Sequence, residues 1–287
     1  MQAQSIRASI AALGTDLGPD ILAACKGLFD SEQRLLARRQ PCAASDLRYG
    51  AHERQRLDLY APVGGTPAAA PILVFAPGGG FLRCDKGSAE SWANANVGRL
   101  AAREGFLGAV IDYRLAPEHG WPAGGEDVAA VVDWLKANGA VHGGDPDRIV
   151  LMGTSAGAVH VATYLQLRPG VREARCAVLL SALYGITPLD ERDALYYGDA
   201  SLYSQRRPLE AVTDTDVPLL VACAEFDPPR FQAESLGLLQ RRLERDGRLP
   251  RSCIVSGHNH YSLPMHLGTS DTRLADEVFA FARERCT

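Results

Sequence analysis

The chain has 287 residues, 46% of them hydrophobic, and a formal net charge of -4. That length and apolar content suit one globular α/β domain, spanning residues 1–287, with a large buried core rather than a disordered chain. The slight acidity gives no general attraction for nucleic-acid phosphates or an anionic membrane surface, so neither is expected as a partner.

Seven cysteines (Cys25, Cys42, Cys84, Cys176, Cys223, Cys253 and Cys286) form no C-x-x-C pair. Their odd number fits reduced thiols, and hence a cytoplasmic location, better than a disulfide framework. No run approaches the ~18 apolar residues of a membrane span, and none precedes Asp16 and Asp20 at the start of the chain.

In chain order, the first fifty residues carry a helical pattern. Ile21, Leu22, Cys25, Leu28 and Phe29 share one face, Leu35 and Leu36 follow, and the pattern ends near Pro41. This segment is expected to be a small helical cap or part of the core. Arg56 to Tyr60 alternates with period two and is stopped by Pro62, which predicts a half-buried edge strand. A turn follows at Gly64-Gly65-Thr66-Pro67.

Short, continuously apolar runs then recur at residues 72–75, 107–111, 149–152, 178–180, 219–222 and 253–255. Runs of this kind are strands buried on both faces, as in a parallel sheet. Helical stretches separate most of them, over residues 92–103, 128–137, 159–167 and 231–245, and residues 274–283 close the chain. The alternation predicts an α/β fold with a mostly parallel sheet and helices on both faces. Residues 184–217 show no clear period. A long segment at the carboxyl ends of strands is a candidate pocket wall.

The chemistry centres on Gly153-Thr154-Ser155-Ala156-Gly157, a G-x-S-x-G between a predicted strand and a predicted helix. A serine on so sharp a turn needs small residues two before and two after it, because a side chain there would collide with the neighbouring strand or helix. A serine hydroxyl is a poor nucleophile until a base takes its proton and a carboxylate fixes the tautomer of that base.

Both kinds of partner follow in the expected order. Asp227 ends an apolar strand before Pro228-Pro229, with Glu225 as the competing carboxylate and a helix N-cap as the plain alternative for Asp227. His258 and His260 lie in what reads as a loop after the strand at 253–255, and spacing alone does not separate them. The remaining histidines, His52, His119, His142, His160 and His266, read as structural or surface residues. Gly78, Gly79 and Gly80 directly follow the strand at 72–75, and their bare N–H groups suit an oxyanion hole. A phosphate loop would need G-x-G-x-x-G or a following Gly-Lys-Ser/Thr, which the sequence lacks.

Together with residues 57–62, 112–118 and 144–149, these motifs resemble the α/β-hydrolase superfamily. The resemblance is to esterases of the hormone-sensitive-lipase type and to the related feruloyl-esterase-like and arylformamidase-like enzymes, and it spans most of the chain. It implies Ser155 as nucleophile, Asp227 as orienting acid, His260 as base because an aromatic residue, Tyr261, follows it, and Gly79, Gly80 and Ala156 as oxyanion donors. Tyr113 and Arg114 are structural by the same resemblance.

The implied activity is hydrolysis of small-molecule carboxylic esters with short acyl chains, with no metal or organic cofactor. Arylformamidase-type amide hydrolysis and a non-catalytic ligand-binding protein are the alternatives, and a homodimer is compatible with the resemblance. One position departs from the family pattern: Pro77 stands where relatives carry a histidine before the glycines. Its ring fixes φ but brings no side-chain hydrogen bond, so the loop must be anchored from elsewhere.

Overall fold

A computed structural model describes residues 2–65, 69–88, 91–170 and 172–287, with side chains from residue 5 onward. The predicted turn at Gly64-Gly65 therefore lies partly outside the described residues, at Thr66 and Pro67. Among the described residues eight strands form one sheet: β1 (Ala44–Arg48), β2 (Arg56–Tyr60), β3 (Ala70–Ala76), β4 (Leu107–Ile111), β5 (Gly144–Thr154), β6 (Ala174–Leu180), β7 (Leu219–Phe226) and β8 (Arg251–Asn259). Their order is β1-β2-β4-β3-β5-β6-β7-β8. The β1/β2 and β2/β4 pairs are antiparallel, and every pair from β4 to β8 is parallel.

The long helices are α1 (Gln2–Leu13), α2 (Pro19–Arg39), α3 (Ala95–Arg103), α4 (Ala123–Asn138) and α5 (Ala156–Leu167). Three short ones follow, α6 (Glu191–Tyr197), α7 (Tyr203–Arg206) and α8 (Leu209–Asp214), and then α9 (Pro229–Asp246), α10 (Ser262–Met265) and α11 (Arg273–Arg285). Strand alternation sorts the core into two layers. Ile72, Val74, Leu151 and Leu179 pack with Val131 and Leu135 of α4 and Val161 of α5. Leu73, Phe75, Val150 and Val178 pack on the other face with Leu100 of α3 and Phe279 of α11. These runs are apolar throughout because both faces are covered.

Several predicted boundaries are corrected. β2 is not an edge strand, since β1 pairs with its outer side. Nor is it half-buried: Leu57, Asp58, Leu59 and Tyr60 are all buried, Asp58 through a 2.8 Å ion pair with Lys86. β1 escapes a hydrophobicity reading because Ala-Ser-Asp-Leu-Arg buries no side chain fully. β8, expected to be covered on both faces, is the terminal strand of the sheet, and its Ile254 is 72% exposed. It also continues to Asn259, through residues that read as loop. The helix expected from Trp92 begins at Ala95, after Asn94 adopts φ 68°.

The topology creates the crevice. From β3 the chain steps to β4 on one side, and β5 then returns on the other, so the loops after β3 and β5 part at their carboxyl ends. Such a switch point is where open α/β sheets bind ligands.

Candidate active site

Ser155 sits between β5 and α5 with φ 52° and ψ -124°, a conformation that a non-glycine residue holds only when its surroundings enforce it. The enforcement comes from packing. A Cβ added to Gly157 would lie 2.0 Å from the Ala76 carbonyl oxygen, and one on Gly153 would lie 2.5 Å from that of Gly157. Any larger residue at either position would push the elbow off β3 or α5. Ser155 N–H donates to Leu180 O at 2.8 Å, which ties the turn to β6.

His260 stands directly after β8 and is 7% exposed. Its Nδ1 lies 2.8 Å from Asp227 Oδ1. A carboxylate only accepts, so Nδ1 carries the proton and Nε2 keeps the lone pair. Asp227 is fully buried and follows β7. Its other oxygen accepts from Ser181 Oγ at 2.5 Å and from Ala224 N at 2.7 Å. This carboxylate is not a helix cap: the N-cap position of α9 is Pro228.

The competing candidates separate. Glu225 is held on the sheet edge by Gly257 N at 2.7 Å and Ser256 Oγ at 2.8 Å, bonds that lower its carboxyl pKa. His258 turns to Ser262 Oγ, 3.1 Å away, and stacks on His266 at 3.8 Å between ring centroids. Residues 258 and 260 share strand parity, but β8 ends at Asn259 and the chain then turns, so their rings diverge. Among the other histidines, His160 is enclosed by Phe81, Tyr113 and Tyr196, and burial lowers its pKa to about 3.

Ser155, His260, Gly79, Gly80 and Ala156 all line one cavity of about 480 Å3. The glycine loop enters it after β3. Gly80 has φ 59°, the left-handed region that glycine adopts at no cost, and a Cβ there would lie 2.1 Å from the Arg192 guanidinium. Tyr113 Oη donates to Pro77 O at 2.7 Å, and burial raises the phenol pKa far enough to keep it a donor. Arg114 is held by Asp127 at 2.8 Å and does not line the cavity, in keeping with a structural role.

The cap and the aperiodic segment supply the outer walls. Leu17, Leu22 and Lys26 come from the start of the chain, and Asp190, Arg192 and Asp193 from the region of α6. Arg230 pairs with Asp193 at 2.7 Å and with Asp190, joining α9 to α6 across the rim. Burial pushes the Asp193 carboxyl up, against the pull of Arg230.

Sequence reasoning missed Ser181 and Glu234. Glu234 is fully buried and accepts from four consecutive backbone N–H groups, those of Tyr184, Gly185, Ile186 and Thr187, at 2.7 to 3.1 Å. The only sequence signal for Ser181 is its place directly after the apolar run of β6.

Comparison with known proteins agrees with this architecture. The "Structure of arylesterase" superposes over 100% of this chain and 98% of that one, with a TM-score of 0.68 at 21% identity, a likeness of fold. A protein of Oryza sativa subsp. japonica named "Probable isoprenylcysteine alpha-carbonyl methylesterase ICME" is 35% identical over 222 residues, 75% of this chain and 50% of the relative. Esterase LipQ of Mycobacterium tuberculosis (strain ATCC 25618 / H37Rv) is 29% identical over 224 residues, 69% of this chain and 52% of the relative. The chain thus spans about half the length of these two curated relatives. A sequence model described as alpha/beta hydrolase fold matches residues 73–260, and the chain belongs to that family.

Proposed function

We propose that this protein is a serine hydrolase of carboxylic esters that works through an acyl-enzyme. The observation that carries the reading is the 2.8 Å bond from His260 Nδ1 to Asp227, on a ring that shares its cavity with Ser155. With Nδ1 engaged, Nε2 takes the Ser155 proton as Oγ attacks the ester carbonyl. The N–H groups of Gly79, Gly80 and Ala156 receive the oxyanion, where each donor lowers the barrier by about 3 kcal/mol. The imidazolium then protonates the departing alcohol. Water, deprotonated by the same Nε2, releases the acid and restores Ser155.

A cavity of about 480 Å3, with Leu17 and Leu22 of the cap on its wall, supports a small ester with a short acyl chain. In this reading residues 1–287 act as one catalytic domain and the first fifty close over the site. Seven free thiols support a cytoplasmic location. Among the described residues no helix is long and apolar enough to cross a membrane. Among the described residues no further strand pairs with the outer side of β8, whose Ile254 is exposed, and this supports a homodimer that light scattering would detect.

The deciding experiment compares a short-chain aryl ester with the wild type and Ser155→Ala at neutral pH. The variant should lose nearly all turnover. Equal rates in the two proteins overturn the reading, and faster cleavage of N-formylated anilines than of esters would replace it with formamide hydrolysis.

A further inference from the structure

Arg99, on the sheet-facing side of α3, is 6% exposed. A buried guanidinium is tolerated when carboxylates or other acceptors accept hydrogen bonds from its N–H groups. Arg99 lies instead over the flat Tyr60 ring, whose centroid is 5.3 Å from Cζ. Among the described residues its Nε and Nη1 meet no hydrogen-bond acceptor. Among the described residues the acids that line the same cavity, Asp58 and Asp46, are committed to Lys86 Nζ at 2.8 and 3.0 Å.

Arg99 lines a second cavity, of about 600 Å3, which shares no lining residue with the catalytic one. Arg34 and Arg38 of α2 also line it. Arg34 is answered by Asp30 at 2.7 Å. Among the described residues the cavity therefore gathers four cations, Arg34, Arg38, Lys86 and Arg99, and its unmet donors belong to a planar group whose geometry matches carboxylate or phosphate oxygens.

We propose that this second cavity is a binding site for a small metabolite carrying an oxyanion, a carboxylate or a phosphate, seated on Arg99. The volume exceeds that of a bare inorganic ion and leaves room for an organic body beside Trp92 and Ala37. Two pieces of chain lead from this site to the catalytic cavity. Arg83, Cys84 and Asp85 line the catalytic cavity and the next three residues, Lys86, Gly87 and Ser88, line this one. Likewise α2 sends Leu22 and Lys26 to the first and Arg34 and Arg38 to the second. An anion drawn onto Arg99 therefore braces both the cap helix and the loop that form one wall of the catalytic cavity.

The test is calorimetric and thermal-shift titration of the full chain with inorganic phosphate, sulfate and malonate, with chloride at matched ionic strength as control. Wild type should bind phosphate or malonate saturably with one site, and the preferred anion tells phosphate from carboxylate ligands. Arg99→Met should weaken that binding at least tenfold. If Arg99→Met does not fold, Arg38→Gln on α2 should weaken it several-fold. Equal affinity in wild type and the variants overturns the proposal, as does a wild type whose response to every anion matches chloride. The bracing rests on the esterase reading: phosphate or malonate should shift the KM for the aryl ester in wild type and not in Arg99→Met. An inactive wild type that still binds anions would strike the esterase reading and leave this site standing, whereas an active wild type that binds none would do the reverse.

Discussion

The Tyr113 hydroxyl donates to the Pro77 carbonyl at 2.7 Å, and so a side chain from beyond β4 holds the glycine loop after β3. Proline at 77 removes a backbone donor and any side-chain bond from the start of that loop. Tyr113 offsets the loss through the carbonyl that proline keeps.

Tyr113→Phe should therefore impair both fold and turnover. It leaves a buried carbonyl unpaired, at a cost of about 1–3 kcal/mol in stability. Loosening the loop should also lower kcat for the aryl ester about tenfold, one donor's misalignment being the cause. Tyr49→Phe is the control, since its hydroxyl donates to Asp112 O at 2.5 Å and Tyr49 does not line the catalytic cavity. Urea melts should show similar losses for the two variants, and kcat should fall in Tyr113→Phe alone. Equal kcat in both would show that the loop needs no such anchor.

How much of this was legible beforehand follows from the kind of interaction involved. The five central strands β3 to β7 declared themselves because burial on both faces leaves apolar runs such as residues 72–75 and 149–152. Ser155 was legible because an elbow demands Gly153 and Gly157, a local steric requirement. Asp227 and His260 follow the carboxyl ends of β7 and β8, which topology brings to one crevice. Choosing His260 over His258 needed the family resemblance, since a strand's end and the turn after it are set by tertiary packing. Ser181 and Tyr113 act through single hydrogen bonds across 46 and 36 residues, and Glu234 through five across 47 to 50, none of which leaves a local pattern. β1 was invisible for a related reason: main-chain pairing with β2 holds it, and it buries no side chain fully.

Ser181→Ala removes one of the donors to Asp227 Oδ2 and leaves Ala224 N in place. A hydrogen bond to a charged group contributes about 1.5–3 kcal/mol, so kcat should fall about tenfold or more with KM unchanged. The effect runs through the carboxylate, so Asp227→Asn should abolish it: Ser181→Ala added to Asp227→Asn should cost nothing further. Additive losses in that cycle would assign Ser181 to general stability instead.

Acid sensitivity should come in part from His160 and His266, whose pKa values burial lowers from 6.5 to about 3. In the folded protein they stay neutral down to about pH 3, while the unfolded chain protonates them below 6.5. The unfolded state then binds more protons, so this stability is fully present above pH 6.5 and is lost as the pH falls toward 3. The slope is about 1.4 kcal/mol per pH unit for each histidine. Urea melts between pH 6.5 and 4.5 should show it, and His266→Gln should reduce the slope by the share of one histidine. An unchanged slope in the variant would mean that His266 titrates alike in both states.

Glu234 holds together the start of the aperiodic segment, and its replacement should separate binding from chemistry. One oxygen accepts from the N–H groups of Tyr184, Gly185 and Ile186, and the other from Thr187 N and from Thr187 Oγ1 at 2.5 Å. Glu234→Gln turns one of these oxygens into a donor facing donors. With buried N–H groups left unpaired, the variant should lose about 3 kcal/mol or more. The loosened chain leads on to Asp190, Arg192 and Asp193 of the cavity wall, whereas Ser155, Asp227 and His260 are held by β5, β7 and β8. The KM for the aryl ester should consequently rise several-fold in Glu234→Gln while kcat stays within about threefold of wild type, a split that uniform loss of binding produces. Loss confined to kcat would place the influence of Glu234 on the catalytic residues and not on the wall.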